Sequence, residues 1–296
     1  MAKSIVSVEG LNYRIDGTTI LKNISFEIEQ GCFLGIFGAD DSGKSSLLNI
    51  IMGFTGKNDF SGKVCRFGKD IKACFHQKNN RIRFAPDDIL WENIKGEEYL
   101  QFCKEIASHY NSSLENELIE LFQLPVQSAL TEMTYNENKL CQIVGLICSS
   151  PKLLILDEPC NFINKKHWSK LLEVLSKCNQ EGMTIILAVE KYDMLEGYGN
   201  MLLYLKDGEV AHCVTYNKEE STDRRQKMVG IKDGNRVVLQ QYLGESLFEV
   251  NGKHYYRYEG TTDRLCRILV KASCEDVTIE EMTLEEELDN DFDRWM

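Results

Sequence analysis

Residues 31–51, GCFLGIFGADDSGKSSLLNII, decide how this chain folds. The apolar run Cys32, Phe33, Leu34, Ile36 and Phe37 is too short for a comfortable helix and reads as a buried strand. It stops at Gly38, a loop runs to Gly43-Lys44-Ser45, and a helix is expected over 45–51. Gly38, Gly43, Lys44 and Ser45 satisfy the spacing G-x-x-x-x-G-K-[ST]. In that pattern backbone N–H groups wrap a phosphate, the lysine reaches the outer phosphates and the hydroxyl holds Mg²⁺. Ala39, Asp40, Asp41 and Ser42 are then the loop's wrapping residues. Ser46 joins Ser45 at the start of the helix, where the aligned N–H groups add partial positive charge. A glycine loop before Lys-Ser can be an ordinary turn, but the strand ahead and the helix behind favour the phosphate. Asp40 and Asp41 bring negative charge into the loop, so either they turn outward or they weaken binding.

Composition narrows the partners. A net charge of −12 argues against a nucleic-acid partner, because such binding rests on clustered Lys and Arg neutralising phosphates. No run approaches the ~18 apolar residues of a membrane span, and MAKSIVSVEG lacks the long apolar segment of a signal peptide, so a cytoplasmic location is expected. The eleven cysteines are odd in number, form no C-x-x-C pair, and include Cys32, Cys141 and Cys148 inside apolar runs. They read as reduced core residues rather than as metal ligands.

Working outward, residues 4–30 alternate as strands about a turn at Asp16-Gly17, with Tyr13 one hairpin ahead of the phosphate loop. An aromatic there can stack on a purine, although a half-buried strand tyrosine is the plainer reading. Residues 59–84 carry short apolar pieces expected to form edge strands. After Pro86, the segment Trp91-Glu92-Asn93-Ile94 leads into helices expected over 96–109, 113–122 and 137–148, a helical insert of about 87–150. Leu153-Leu154-Ile155-Leu156 is a strand covered on both faces, ending in Asp157-Glu158. Two carboxylates at a strand end can cap the following turn at Pro159. Beside a phosphate loop they fit better as a Mg²⁺-supporting aspartate and a glutamate that orients or deprotonates water. A helix over 166–178, a strand over 184–189, a strand over 201–205 and a turn at Asp207-Gly208 complete a crossover α/β sheet.

Taken together, Tyr13, GADDSGKSS at 38–46, the helical insert, MTYNENK at 133–139, PKLLILDEP at 151–159 and LKDGEV at 205–210 resemble the ATP-binding subunits of ABC transporters over residues 1–215. The resemblance implies ATP and Mg²⁺ as cofactors and a membrane-spanning transporter subunit as partner. It also implies a homo- or heterodimer in which each ATP lies between one subunit's phosphate loop and the other's signature segment. Tyr13 then stacks on adenine, Asp157 and Ser45 support Mg²⁺, and Glu158 with Lys44 carries the chemistry. Four positions depart from the family pattern. Its signature reads roughly Ser-Gly-Gly-Gln where this chain has Thr134, Tyr135, Asn136 and Glu137, so two side chains obstruct the approach to the opposite ATP and Glu137 adds repulsion. The family's glutamine after Pro86 is Asp87, with a shorter reach toward the metal. Its switch histidine aligns with Glu190 and its linking aspartate with Asn164.

Residues 216–296 read as a separate small α/β domain. The stretch 220–227 is a charged linker or short helix. Strand signals at 236–240, 247–250 and 253–258, with a hairpin turn at Asn251-Gly252, precede a helix over 264–272 and a strand over 276–280. Thr283 with Glu286 makes a possible capping box, and 285–293 an acidic, solvated end. Such an extension loosely resembles exporting members of the family. The expectation is an α/β P-loop ATPase domain with a mixed sheet, an antiparallel β subdomain and a helical insert, followed by the small α/β domain. Its expected role is the cytoplasmic ATP-binding subunit of an exporter, on the inner face of the membrane, and the weakly hydrolysing half of a heterodimer. The alternative is a non-hydrolysing, ATP-dependent regulatory or assembly subunit.

Overall fold

The computed structural model describes residues 4–56, 58–73, 81–89, 93–195, 197–215 and 226–282. Trp91, Glu92, residues 220–225, the 283/286 pair and the acidic end lie outside them. The chain divides into two compact units, Met1–Thr215 and Tyr216–Met296.

In the first unit β1 (Ser4–Ile15) and β2 (Thr18–Glu29) form the opening hairpin. Asp16 and Gly17 both take positive φ at its turn. β3 (Phe33–Phe37) follows and is buried throughout. α1 (Lys44–Met52) starts at the phosphate loop and is capped at its C-terminus by Gly53 in the left-handed region. β4 (Phe60–Arg66) and β5 (Lys69–Asp70) join the hairpin in an antiparallel sheet ordered β2-β1-β4-β5. β6 (Ile82–Ala85) belongs elsewhere: it is the parallel edge strand beside β7 (Leu153–Asp157) in the central sheet.

Between β6 and β7 lie α2 (Gly96–Ile106), α3 (Ser112–Phe122) and α4 (Tyr135–Cys148). α4 begins two residues earlier than expected because Thr134 caps it. α5 (Lys165–Gln180), β8 (Thr184–Val189), β9 (Met201–Lys206) and β10 (Glu209–Thr215) complete the unit. The central sheet runs β10-β9-β3-β8-β7-β6, with the β9–β10 pair antiparallel and the remaining pairs parallel. One core fills the space between the two sheets: Leu47, Leu48, Ile50 and Ile51 of α1 pack with Val8, Leu11 and Ile24 of one sheet and Ile36, Ile155 and Leu203 of the other. Burying each such side chain stabilises the fold by about 1.5–3 kcal/mol. The core thereby fixes where α1 begins.

The second unit runs β11 (Gln226–Asp233), α6 (Arg236–Leu243), β12 (Phe248–Val250), β13 (Lys253–Glu259), α7 (Thr262–Lys271) and β14 (Glu275–Glu281). Its antiparallel sheet is ordered β12-β13-β11-β14. This is the β-α-β-β-α-β plan of ferredoxin-like domains. Leu239, Leu265, Ile268 and Leu269 of the helices cover Val229, Ile231, Tyr256 and Tyr258. Two readings are corrected here. Residues 236–240 are helical, not extended, because Asn235 accepts from the N–H groups of Val237 and Val238 and starts α6. The central strand β11 covers residues that include the end of the expected linker. Cys213 and Cys266 are exposed, whereas Cys103, Cys141, Cys148 and Cys178 are buried. Among the described residues no helix is long and apolar enough to cross a membrane.

Candidate active site

The phosphate loop is shaped by close backbone approach. A Cβ on Gly38 would stand 2.1 Å from the carbonyl oxygen of Leu205, so only glycine fits at the end of β3. The Gly38 N–H donates to the Glu190 carbonyl (3.2 Å), and the Ser42 N–H closes a turn on Ala39 (3.2 Å). Gly43 has φ +100°, and a Cβ there would meet Leu21 Cδ2 at 2.7 Å. Asp41 takes φ +61°. Ala39, Asp40 and Asp41 are exposed while Ser42, Gly43 and Lys44 are buried, and Ser45 and Ser46 are half-buried on the first turn of α1.

Lys44 is folded back into its own loop. Its Nζ donates to the carbonyl oxygens of Gly38 (2.5 Å) and Ala39 (2.8 Å), lies 3.4 Å from Ser42 Oγ, and pairs with Glu158 Oε1 at 3.0 Å. Glu158 stands just past β7 in the left-handed region, φ +42° and ψ +45°, with its N–H on the Ala188 carbonyl (3.1 Å). A non-glycine residue held there costs free energy, and such outliers cluster at functional sites. The other carboxylate oxygen, Oε2, accepts from Asn161 Nδ2 at 3.1 Å, and the same Nδ2 donates to Asp87 Oδ1 at 3.3 Å. One carboxamide therefore spans two carboxylates.

Asp157 ends β7 and is buried. Ser45 hydrogen-bonds to its carboxyl, and its Oδ1 has no hydrogen-bond partner among the described residues. Burial raises its pKa to about 6; the Ser45 bond opposes that shift, and Glu158 and Asp87 add to it. An unpartnered buried carboxylate oxygen beside a serine hydroxyl fits Mg²⁺, which takes one or two protein oxygens and fills its octahedron with phosphate and water. No group of three or more His, Cys, Asp or Glu side chains able to hold a metal occurs among the described residues.

Lys139 of α4 is fully buried. Its ammonium donates to the carbonyls of Pro86 and Asp88 (2.7 Å to the latter), on either side of Asp87, and lies 5.1 Å from the Phe162 ring centre. Burial pulls its pKa down to about 8, against the pull of Asp87, Asp157 and Asp88. Burial likewise raises the pKa of Asp87.

Glu137 is engaged locally, at the start of its own helix. Its Oε2 accepts from the Thr134 N–H (2.9 Å) and hydroxyl (2.8 Å), while the Glu137 N–H donates to Thr134 Oγ1 (3.3 Å). The carboxylate is used in a capping box on its own helix. Asn136 likewise turns within the chain, toward Asn164 and His167. Tyr135 is 61% exposed. Glu190 pairs with Lys191 at 3.8 Å. Tyr13 sits half-buried on β1 beside the core, paired across the sheet with Leu21 and Phe60.

Residues 21–161 match the family model described as ABC transporter. The first unit is similar to the ATP-binding subunits of ABC transporters. The L-arabinose transport ATP-binding protein AraG of Geobacillus stearothermophilus is 24% identical over 86% of this chain and 53% of its own length. The energy-coupling factor transporter ATP-binding protein EcfA of Methanosphaera stadtmanae is 26% identical over 75% of this chain and 82% of its own. The chain thus spans about half of the first relative and most of the second. Among solved structures, an ATP-binding subunit of an ABC transporter superposes with TM-score 0.61 at 20% identity, over 71% of this chain and 90% of that one. A dimeric cassette in a post-hydrolysis state, bound to ADP and phosphate, does so with TM-score 0.60 at 19% identity, over 72% and 99%. These likenesses show the fold of an ABC-type P-loop ATPase.

Sequence reasoning missed Asn161 and Lys139. A carboxamide three residues after Glu158, across a tight turn opened by Pro159, was the available signal for Asn161. Lys139 carried none, since a lysine on an amphipathic helix ordinarily faces water.

Proposed function

We propose that this chain is the cytoplasmic ATP-binding subunit of a membrane transporter, binding Mg-ATP at the 38–46 loop and coupling it to a membrane-spanning partner. The observation that carries the reading is the contact of Lys44 with Glu158 directly beside the Ser45–Asp157 pair. The adjacency of Lys44, Glu158, Ser45 and Asp157 supports their roles as phosphate-binding lysine, water-orienting carboxylate and metal-supporting pair. Ser45 and Asp157 would hold Mg²⁺, which when bound neutralises phosphate charge. Lys44 leaves Glu158 for the outer phosphates, and the freed Oε1 orients water toward the γ-phosphate while Asn161 keeps Oε2. Tyr13 supplies the adenine face. Asp87 stays at the edge of the metal region, held by Asn161.

The chain is the slower half of a dimer of two ABC ATP-binding subunits. Glu190 cannot donate to a γ-phosphate, and the signature segment spends its polar groups within the chain. The small C-terminal unit is what favours export. A regulatory subunit that binds ATP without turnover is the second reading, favoured by the tie between Lys44 and Glu158. The two are separated by the ATPase rate of the purified chain, alone and with a standard ABC partner, against a Lys44→Ala control. Turnover only with the partner supports the heterodimer; binding with no turnover in any pairing supports the regulatory subunit. Brisk hydrolysis by the chain alone overturns both.

A further inference from the structure

We infer that Asp87 is a positioning residue for Glu158: the two carboxylates together fix the plane of the Asn161 carboxamide, and Lys139 holds in place the loop that carries Asp87. The inference rests on the reading above, in which Glu158 orients the attacking water. Asn161 ends the short turn Pro159–Asn161, and its N–H donates to the Glu158 carbonyl at 3.1 Å, which folds its side chain back beside the glutamate. Its Nδ2 lies 3.1 Å from Glu158 Oε2 and 3.3 Å from Asp87 Oδ1. An ionised carboxylate only accepts, so the NH₂ end of the carboxamide faces both.

The second contact changes what the first can do. A primary amide carries two N–H groups in one plane. A single bond to Glu158 leaves that plane free to turn about the N–H···O axis, whereas a second bond, to an acceptor in another direction, removes the freedom. Glu158 needs this restraint once ATP draws Lys44 away, because of the two side-chain contacts described for its carboxylate only the bond to Asn161 then remains.

Asp87 and Asn161 are both exposed, so water competes for their bond and its strength alone would not hold the carboxamide. Preorganisation compensates. Lys139 is fully buried and donates to the carbonyls of Pro86 and Asp88, on either side of Asp87, and its ammonium lies 5.1 Å from the ring centre of Phe162, the residue after Asn161. One ammonium thus fixes the loop of the acceptor and touches the turn that presents the donor. Asp88 Oδ1 adds a further tie within the loop, accepting from the Ile89 N–H at 2.6 Å. With the loop already fixed, closing the contact between Asp87 and Asn161 costs little ordering entropy. Asp87 therefore acts on Glu158 through Asn161 rather than on the metal.

The first measurement needs neither nucleotide nor turnover. Side-chain ¹⁵N relaxation of Asn161 is followed in the nucleotide-free chain, with Asn161→Ala assigning the signal, and compared in Asp87→Ala and Asp87→Asn, which alter an exposed position outside the core. The expected order parameter of the carboxamide is close to the rigid value of about 0.85 in the wild type, below about 0.6 in Asp87→Ala, and restored in Asp87→Asn, whose carboxamide oxygen still accepts. Equal order in the wild type and Asp87→Ala, or as full a loss in Asp87→Asn as in Asp87→Ala, overturns the inference. The second measurement is the steady-state rate with a standard ABC partner. Asp87→Ala should lower kcat about threefold to fivefold with KM for Mg-ATP little changed, and should add no further loss in an Asn161→Ala background, as expected when one residue acts through another. Equal losses in both backgrounds, or a rise in KM that accounts for the loss, would place Asp87 on the metal and overturn the inference. No turnover in any pairing, with the order parameters as expected, would refute the hydrolysing reading alone and leave the positioning contact supported.

Discussion

Lys44 Nζ lies 3.0 Å from Glu158 Oε1, both side chains nearly inaccessible to water, and the glutamate's second oxygen is held by Asn161. The pair couples the phosphate loop to the end of β7. ATP must therefore draw Lys44 away from a buried carboxylate, and part of its binding free energy goes into breaking that contact.

Glu158→Gln should tighten Mg-ATP binding, by about tenfold or ~1.4 kcal/mol, because Lys44 is released from its ion pair. The same change should abolish what turnover the paired subunits show, by at least about 100-fold, since the amide cannot take a proton from water. Titration calorimetry and steady-state rates check the two halves separately.

Asn161→Ala removes the one carboxamide that holds Glu158 when Lys44 moves to the phosphates. It should lower kcat about tenfold with KM little changed, as expected where the lost contact matters only in the transition state. An equal change in KM and an unchanged kcat would assign Asn161 to binding.

Lys139 predicts a specific pH dependence. Its folded pKa of about 8 lies below the ordinary 10.5, so between these values the unfolded chain binds the extra proton. Stability from this group must then rise as the pH rises through 8–10.5, by up to about 3 kcal/mol. Denaturant unfolding of the wild type and of Lys139→Met across this range isolates it: the difference between the two proteins should change in that direction and nowhere near pH 6.

Gly38→Ala places a methyl 2.1 Å from the Leu205 carbonyl oxygen, a backbone atom that cannot swing aside. It should destabilise the first unit by about 1–3 kcal/mol and weaken ATP binding through a displaced loop. Thermal unfolding with and without Mg-ATP reads both effects.

Much of this was legible in the sequence where periodicity and backbone demand coincide. The unbroken apolar runs of β3, β7 and β8 mark strands covered on both faces, and Gly38 and Gly43 mark the loop between β3 and α1. β11 was not legible, because QKMVGIKD carries lysines toward both ends and shows no clean alternation. α6 opens with Arg-Val-Val, a strand-like run overridden by its Asn235 cap. At the site, the capping role of Glu137 was legible but unread. Thr134 three residues earlier was a readable capping signal, and the cap takes up the carboxylate. Asn161 and Lys139 act through contacts between segments distant in sequence, which no local pattern encodes.

The central claim is that the 38–46 loop binds Mg-ATP through Lys44, and titration calorimetry of the purified chain with Mg-ATP tests it most directly, run beside Lys44→Ala. Saturable binding at one site per chain, weakened at least about tenfold in Lys44→Ala, is the predicted result. No binding by the wild type, or equal affinity in the two proteins, would contradict it.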